Sequence, residues 1–170
     1  WTLPGHAWSI NSGRAIDTIR QVADNAGWGR QLPKGSALGL SFYFSHAGHV
    51  AEIAEVSVDA DKKVNIHKVW VVADIGLVVN TSGAENQCQG SIVDAIGTLA
   101  AQSIHVRDGA VQESNLHQHP LARIDQRPQI DVQFMQTDYP PTGVGEPAMP
   151  PLAAAVCNAI FSVTGERIRN

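Results

Sequence analysis

The sequence predicts an α+β fold in which an antiparallel β meander and a β hairpin pack with about three helices. Three observations support this class. Apolar residues recur at helical spacing in three separate segments. Three β-branched or aromatic runs follow one another with short connections, which favours antiparallel pairing. An Asp-Gly pair, Asp108 and Gly109, lies between two short apolar segments and is typical of a two-residue hairpin turn.

The composition of the 170-residue chain indicates a packed core and excludes several classes of protein. Hydrophobic residues make up 44% and charged residues 16%, which is unlike a disordered chain. Twelve basic and sixteen acidic residues give a formal net charge of −4, and this balance argues against nucleic acid as the main partner. Two cysteines are too few for a disulfide scaffold.

The first element predicted after an N-terminal arm, Trp1–Gly13, is a helix over Arg14–Ala26. Its apolar stripe is formed by the residues Ile16, Ile19, Val22, Ala23 and Ala26, and Gly27 ends it. Strands follow at Leu38–Phe44, Val50–Val58 and Val64–Ala73. The alternation in the third run is imperfect, which predicts a β bulge or burial on both faces.

The second half of the sequence predicts two further helices and a strand. Ser82–Glu85 has the pattern of a capping box, and helical spacing continues from Ala84 to Gln102. The segment Ile130–Phe134 alternates cleanly, as a half-buried strand does. Pro151 opens the last helix, and Gly165 ends it.

Glu146 is the strongest candidate for chemistry. It lies between Gly145 and Pro147, just ahead of a helix, and the neighbouring glycines allow a ligand to approach the backbone closely. The prolines stiffen the loop, so the carboxylate is held at low entropic cost, as a general base requires. The alternative is a solvated glutamate in a surface turn.

Gln87 is the second candidate. It lies in the first turn of the predicted second helix, where unpaired N–H groups favour anions, and its amide can both donate and accept. This predicts contact with a phosphate or with the polar edge of a cofactor. The alternative is an exposed glutamine on a helix face.

The histidines and cysteines give weaker indications. His117 and His119 form an HxH pattern that, on a strand, places two imidazoles on one face in a zinc-like arrangement; His46 and His49 form an HxxH pattern. Acidic or cysteine partners at ligand spacing are lacking, so we assign no metal ligand. Cys88 and Cys157 lie on apolar helix faces, which favours a place in the core over a nucleophilic role.

Four segments, taken together in order, resemble the C-terminal end of the molybdenum hydroxylases, the family of xanthine dehydrogenase and aldehyde oxidase, and in particular molybdopterin-binding subunits of the isoquinoline 1-oxidoreductase type. The segments are Val71–Asn80, Asn86–Val93, Arg107–Gly109 with Ser114–His117 and Leu121–Asp125, and Gly143–Pro147 with Pro150, Pro151 and the helix Leu152–Thr164. The resemblance covers nearly the whole chain and is weakest before Gly35.

The resemblance implies the chemistry of the whole enzyme. The glutamate of the GxGEP loop is the base beside the molybdenum in this family, and Glu146 matches it. The family's glutamine at the helix start lies near a molybdenum ligand, and Gln87 matches it. The implied cofactor is molybdopterin, in its cytosine dinucleotide form, and the implied reaction is hydroxylation of an N-heterocycle or an aldehyde with water as oxygen source. Electrons leave through [2Fe-2S] clusters on a partner subunit.

The chain departs from the family pattern at Gln89, where glutamate is usual, and at Ala148, where glycine is usual. It is also much shorter than a family subunit and starts at Trp1, so we expect one C-terminal portion of a larger domain, with an arm and helix over 1–35 and a core segment over 36–170. The isolated piece is expected to be inactive. A non-catalytic binding or assembly domain of a diverged relative is the alternative, and both a periplasmic and a cytoplasmic location fit the resemblance.

Overall fold

The structure, a computed structural model, describes residues 9–169 apart from the side chain of Gln126. Most of the predicted N-terminal arm therefore lies outside the described residues. The elements are α1 (Ser12–Ala26), β1 (Ser36–Ser45), β2 (Gly48–Val58), β3 (Val64–Asp74), α2 (Thr81–Ala100), β4 (Val106–Arg107), β5 (Ala110–Val111), β6 (Gln129–Phe134) and α3 (Pro150–Thr164), with two short 3-10 helices at Leu116–Gln118 and Ile124–Gln126. Among the described residues, no helix is both long and apolar enough to cross a membrane.

Three layers make up the fold. A four-stranded sheet in the order β1-β2-β3-β6 is covered by α1 on one face and by α2 and α3 on the other. The core cluster below α2 and α3 is the larger one, and the cluster below α1 includes Val22, Ile53 and Trp70. The predicted α+β class, with its antiparallel meander, hairpin and three helices, is confirmed.

The sheet is mixed rather than antiparallel throughout. Strands β1, β2 and β3 form the predicted meander, whereas β6 pairs with β3 in parallel. A parallel neighbour needs a long crossover, and α2 with the β4–β5 hairpin provides it. The expected irregularity in β3 is present, because the register with β2 shifts between Glu55 and Val56. The end of β3 is also buried on both faces.

Two local details differ from the sequence predictions. In α1, Ile16 is exposed and Thr18 is buried in its place; the Thr18 hydroxyl donates to the Arg14 carbonyl within the helix, which offsets the cost of burying it. The second helix begins at Thr81 rather than Ala84 and ends at Ala100 rather than Gln102, so the predicted capping box at Ser82 is wrong. The helix is capped instead by Asn80.

The Asn80 cap has a clear physical basis. The Asn80 side chain accepts a hydrogen bond from the Gly83 N–H at 3.0 Å, as an N-cap residue does. Ser82 is left inside the first turn of α2. The predicted hairpin, by contrast, forms at Asp108 and Gly109, both of which have positive φ.

Glu52, in the middle of β2, is completely buried. It lies two residues from both Val50 and Ala54 along the strand, so all three side chains are on the face covered by α2 and α3. Neither of its carboxyl oxygens has a hydrogen-bond partner among the described residues. Burial raises the pKa of Glu52 well above its usual range. Without a partner for either oxygen, the neutral acid is favoured over an uncompensated buried charge.

His49, near the start of β2, is also completely buried but lies on the opposite face of the sheet. Its ring packs against Phe44, with 4.9 Å between centroids, and its Nε2 accepts from the backbone N–H of Asn11, the N-cap of α1. Burial, and after it the nearby charge of Arg14, lowers the pKa of His49 to about 4. His49 is therefore neutral where it anchors the start of α1.

Gly76, directly after β3, has a φ of +73°, and a Cβ built there would lie 2.2 Å from the Pro140 carbonyl oxygen. We expect Gly76→Ala to destabilise the chain by about 1–3 kcal/mol more than Gly109→Ala, because overpacking against backbone is added to the cost of a positive φ. Gly109 is the matched control, since its φ is +77° with nothing within 4 Å. Urea unfolding of both variants measures the difference, and equal losses would contradict the close approach.

His49 gives the free energy of unfolding a predicted pH dependence. Between its unfolded pKa of about 6.5 and its folded pKa of about 4, the unfolded state binds a proton that the folded state does not. The chain therefore loses stability as the pH falls through this range, by about 1.4 kcal/mol per unit. His49→Phe should remove this loss, so its stability relative to the unsubstituted chain should improve from pH 6.5 to pH 4. A difference that is constant with pH would contradict the prediction.

Candidate functional site

The candidate site lies at the edge of the sheet where β3 ends and α2 and α3 begin. The loop over residues 135–149 crosses this edge and carries Glu146. Three backbone hydrogen bonds fix the loop to the end of β3 and the residues after it. The Met135 N–H donates to Ala73, the Leu77 N–H donates to Tyr139, and the Thr142 N–H donates to Ile75 at 2.9 Å. The close packing of Gly76 against Pro140 lies between the last two.

The carboxylate of Asp74, the last residue of β3, connects α1 to this loop. It accepts two hydrogen bonds from the Arg14 guanidinium, at 2.6 and 2.8 Å, and one from the Thr137 hydroxyl at 2.8 Å. The Gly76 N–H donates to it as well. Burial acts to raise the pKa of Asp74, but these hydrogen bonds outweigh that effect and lower it. The Arg14 guanidinium also stacks over the Tyr139 ring, 4.1 Å from its centroid.

Glu146 stands at the start of a tight turn. The Met149 N–H donates to the Glu146 carbonyl at 2.9 Å, with Pro147 in the second position, where its fixed φ suits the turn. Pro147 and Ala148 are buried, whereas the Glu146 side chain is 71% exposed. The methyl group of Ala148, at a position where the family usually has glycine, packs into the larger core cluster. The backbone around Glu146 is therefore anchored while its carboxylate is accessible.

Helix α2 brings Gln87 to the same region. The Ser91 hydroxyl donates to the Gly145 carbonyl and so joins α2 to the loop directly before Glu146. Gln87 precedes Ser91 by four residues, which places it on the same face of the helix. Its side chain is exposed and makes no hydrogen bond within residues 9–169. The structure thus brings the two predicted site residues to neighbouring elements.

His46 is a neighbour of Glu146 that sequence reasoning missed. Its Nε2 lies 3.7 Å from Glu146 Oε1, and its Nδ1 is 2.8 Å from the Ser45 hydroxyl. In the sequence His46 drew attention only as the partner of His49 in an HxxH pattern. The two rings do not share a site, because His49 is buried below α1 and His46 is half-exposed in the β1–β2 turn. A hundred residues separate His46 from Glu146, and only the fold joins them.

The remaining sequence candidates have other roles. His117 and His119 lie in and directly after a 3-10 helix rather than on a strand, so the zinc-like arrangement is not formed. Within the described part of the chain, no group of three or more potential metal ligands comes together. Gln89, where glutamate is usual in the family, accepts a hydrogen bond from Arg127 at 2.8 Å.

The cysteines are not suited to nucleophilic chemistry. Cys88 is completely buried, and burial above all raises the pKa of its thiol to about 12. The predicted place of Cys88 in the core is confirmed. Cys157 is half-buried on α3.

The start of α2 offers space and polar groups for a ligand, in a cavity whose lining does not include Gln87 or Glu146. This cavity has a volume of about 380 Å³, and polar residues line part of it: Thr81, Glu85, Gln136 and Thr137. A Cβ added at Gly145 or Gly90 would meet nothing within 4 Å, which leaves room for a ligand close to the backbone. The Gln87 amide and the first N–H groups of α2 are suited to the polar edge and phosphate of a molybdopterin.

Comparison with known families agrees with this geometry. The molybdopterin cofactor-binding domain family matches residues 15–128, which is more than half of the chain. This range contains Gln87, and Glu146 lies beyond it. The chain is also 30% identical, over 94% of its length, to isoquinoline 1-oxidoreductase subunit beta of Brevundimonas diminuta, of which it covers 21%. The chain thus spans about a fifth of the length of this relative.

Solved structures show the same fold. Aldehyde oxidoreductase from Desulfovibrio gigas matches 71% of this chain with 14% of its own, at 28% identity and a TM-score of 0.58. Quinoline 2-oxidoreductase from Pseudomonas putida 86 matches 69% of this chain with 16% of its own, at a TM-score of 0.64 and 24% identity. On the family match and the fold, the chain belongs to the molybdopterin cofactor-binding domain family of the molybdenum hydroxylases.

Proposed function

We propose that this chain is the part of a molybdenum hydroxylase's molybdopterin-binding subunit that supplies the catalytic base, Glu146. The complete protein then hydroxylates an N-heterocycle or an aldehyde, with water as the source of oxygen. The names of similar proteins, an isoquinoline oxidoreductase and an aldehyde oxidoreductase, support these two substrate classes. The alternative, a binding or assembly domain without molybdenum, predicts a complete protein that contains none.

The observation that carries the proposal is the combination of a fixed backbone and a free carboxylate at Glu146. The Ser91 hydrogen bond and the buried Pro147 and Ala148 hold the loop, while the side chain is 71% exposed. A general base must be placed at low entropic cost and must remain within reach of the proton that it removes. The backbone is held on both sides of Glu146, by the Ser91 hydrogen bond at Gly145 and by the buried Pro147 and Ala148.

Each residue has a defined role. When bound, molybdopterin supplies a molybdenum centre that takes two electrons from the substrate. Glu146 accepts a proton at its carboxylate, and Oε2 is the oxygen that His46 does not face. Gln87 offers its amide to orient a polar ligand beside the metal, and the Gln87 side chain is free to do so. Cys88 takes no part, because its thiol is buried and protonated.

The proposal also defines cofactor and partners. The molybdopterin is the cytosine dinucleotide form, and electrons leave through [2Fe-2S] clusters on a small partner subunit. The remainder of the large subunit provides further cofactor contacts, since the described residues of this chain contribute Gln87, Glu146 and the start of α2. Nucleic acid is not a partner.

Glu146→Gln tests the proposal in the complete protein. The substitution keeps the size of the side chain but removes its ability to accept a proton, so we expect turnover to fall by about 10²- to 10⁴-fold. Molybdenum content should stay near normal, because the Glu146 side chain is exposed and makes no buried contact. Steady-state kinetics with an N-heterocycle and an aldehyde, together with metal analysis, measure both effects.

Gln87→Ala is the matched comparison. It removes a ligand-orienting amide rather than a proton acceptor, and turnover should fall less than in Glu146→Gln. If Glu146→Gln kept more than about a tenth of the activity, which corresponds to less than about 1.4 kcal/mol, the assignment of the base would be wrong.

A further inference from the structure

We infer that His46 is a positioning residue for Glu146: its imidazole holds one carboxylate oxygen and leaves the other to accept the proton. This inference rests on the proposed role of Glu146 as the base. The primary observation is the distance of 3.7 Å between His46 Nε2 and Glu146 Oε1. That distance is longer than an ordinary hydrogen bond of about 2.9 Å, but such contacts often shorten only when substrate is bound.

Three constraints direct His46 toward Glu146. The Ser45 hydroxyl lies 2.8 Å from Nδ1 and fixes the ring orientation. Gly143, on the loop that carries Glu146, lies against the His46 side chain, since a Cβ there would be 3.6 Å from His46 Cβ. The backbone of His46 is fixed by the two-residue turn between β1 and β2. The contact with Gly143 at Cβ and the contact with Ser45 at Nδ1 together restrict the position of Nε2.

The contact between Ser45 and His46 is compatible with a hydrogen bond donated by His46 to Glu146. If the Ser45 hydroxyl donates to Nδ1, the neutral imidazole carries its proton on Nε2, because each ring nitrogen of neutral histidine is either a donor or an acceptor. The Nε2–H group then donates toward the Glu146 carboxylate. A carboxylate accepts this donor at one oxygen and keeps the lone pairs of the other.

The turn that carries His46 has an uncommon sequence for its backbone conformation. His46 and Ala47 both have positive φ, at 51° and 61°, although neither is glycine, asparagine or aspartate. Turns of this type favour Asn-Gly or Asp-Gly, and the β4–β5 hairpin of the same chain has Asp108 and Gly109. Histidine tolerates positive φ better than most residues, so the less suitable member of the pair is Ala47, and the turn alone does not require an imidazole at position 46.

The experiment compares His46→Asn with His67→Asn in the complete protein. Asparagine tolerates positive φ and so keeps the turn, but its side chain is too short to reach Glu146. His67 is the matched control, an exposed histidine that also pairs with a serine hydroxyl, that of Ser57 at 2.7 Å. We expect His46→Asn to lower kcat about tenfold with KM changed less than twofold, and His67→Asn to change neither.

Two further measurements separate positioning from a general structural role. Ser45→Ala leaves the turn backbone unaltered and should lower kcat by a smaller factor than His46→Asn. Crystal structures of the complete protein and of His46→Asn should show an unchanged loop over residues 135–149, but a Glu146 carboxylate that no longer occupies a single rotamer. This structural readout does not depend on activity.

The outcomes are distinguishable. If Glu146→Gln abolishes turnover while His46→Asn keeps kcat, the role of His46 is wrong and the proposed function stands. If Glu146→Gln is active, the proposed function fails, whatever the effect of His46→Asn. In either case, an unchanged Glu146 rotamer in His46→Asn would overturn the inference. A further loss of activity when His46→Asn is added to Glu146→Gln would also count against it.

Discussion

The carboxylate of Asp74 is the group on which the arrangement of the site depends. Asp74 is the last residue of β3. Its carboxylate accepts hydrogen bonds from the Arg14 guanidinium of α1, from the Thr137 hydroxyl and from the Gly76 N–H. One buried charge thus joins α1, on one face of the sheet, to the loop that carries Glu146. A buried carboxylate is tolerated here because its hydrogen bonds replace those of water, and removing one partner would leave the charge uncompensated. The site is therefore supported by packing on the face of the sheet opposite α2 and α3.

The local features of the fold were predictable from the sequence because short-range physics determines them. The Asp108-Gly109 turn and the end of α1 at Gly27 depend on backbone conformations that few residues adopt readily. Long-range features were not accessible in the same way. The parallel pairing of β6 with β3 depends on a partner strand about sixty residues away, and alternation in β6 reveals its buried face but not its neighbour. Ser82 failed as a cap because Asn80, two residues earlier, is an equally suitable one.

In the candidate site, too, residues in short motifs were predictable from the sequence, whereas long-range contacts were not. Glu146 and Gln87 were found from short motifs with a resemblance to a known family, and the structure brings their elements together through Ser91 and Gly145. The sequence contains no signal for the contact between His46 and Glu146, because the β1–β2 turn and the loop meet only once the sheet has formed. The HxxH pattern even suggested the wrong neighbour. His46 and His49 are three residues apart, yet a turn and one strand residue direct them to different surroundings.

The buried Glu52 couples folding of this chain to the composition of the buffer. At neutral pH the unfolded chain carries this side chain as a carboxylate, whereas the folded chain buries it without a hydrogen-bond partner among the described residues, which favours the neutral acid. Folding therefore favours uptake of a proton at Glu52, whereas lowering the pKa of His49 from about 6.5 to about 4 makes folding release a smaller fraction of a proton at pH 7. The calorimetric enthalpy of unfolding must then vary with the ionisation enthalpy of the buffer, in proportion to the protons released. Near neutral pH, a single residue in the middle of β2 thus couples unfolding to the release of a proton.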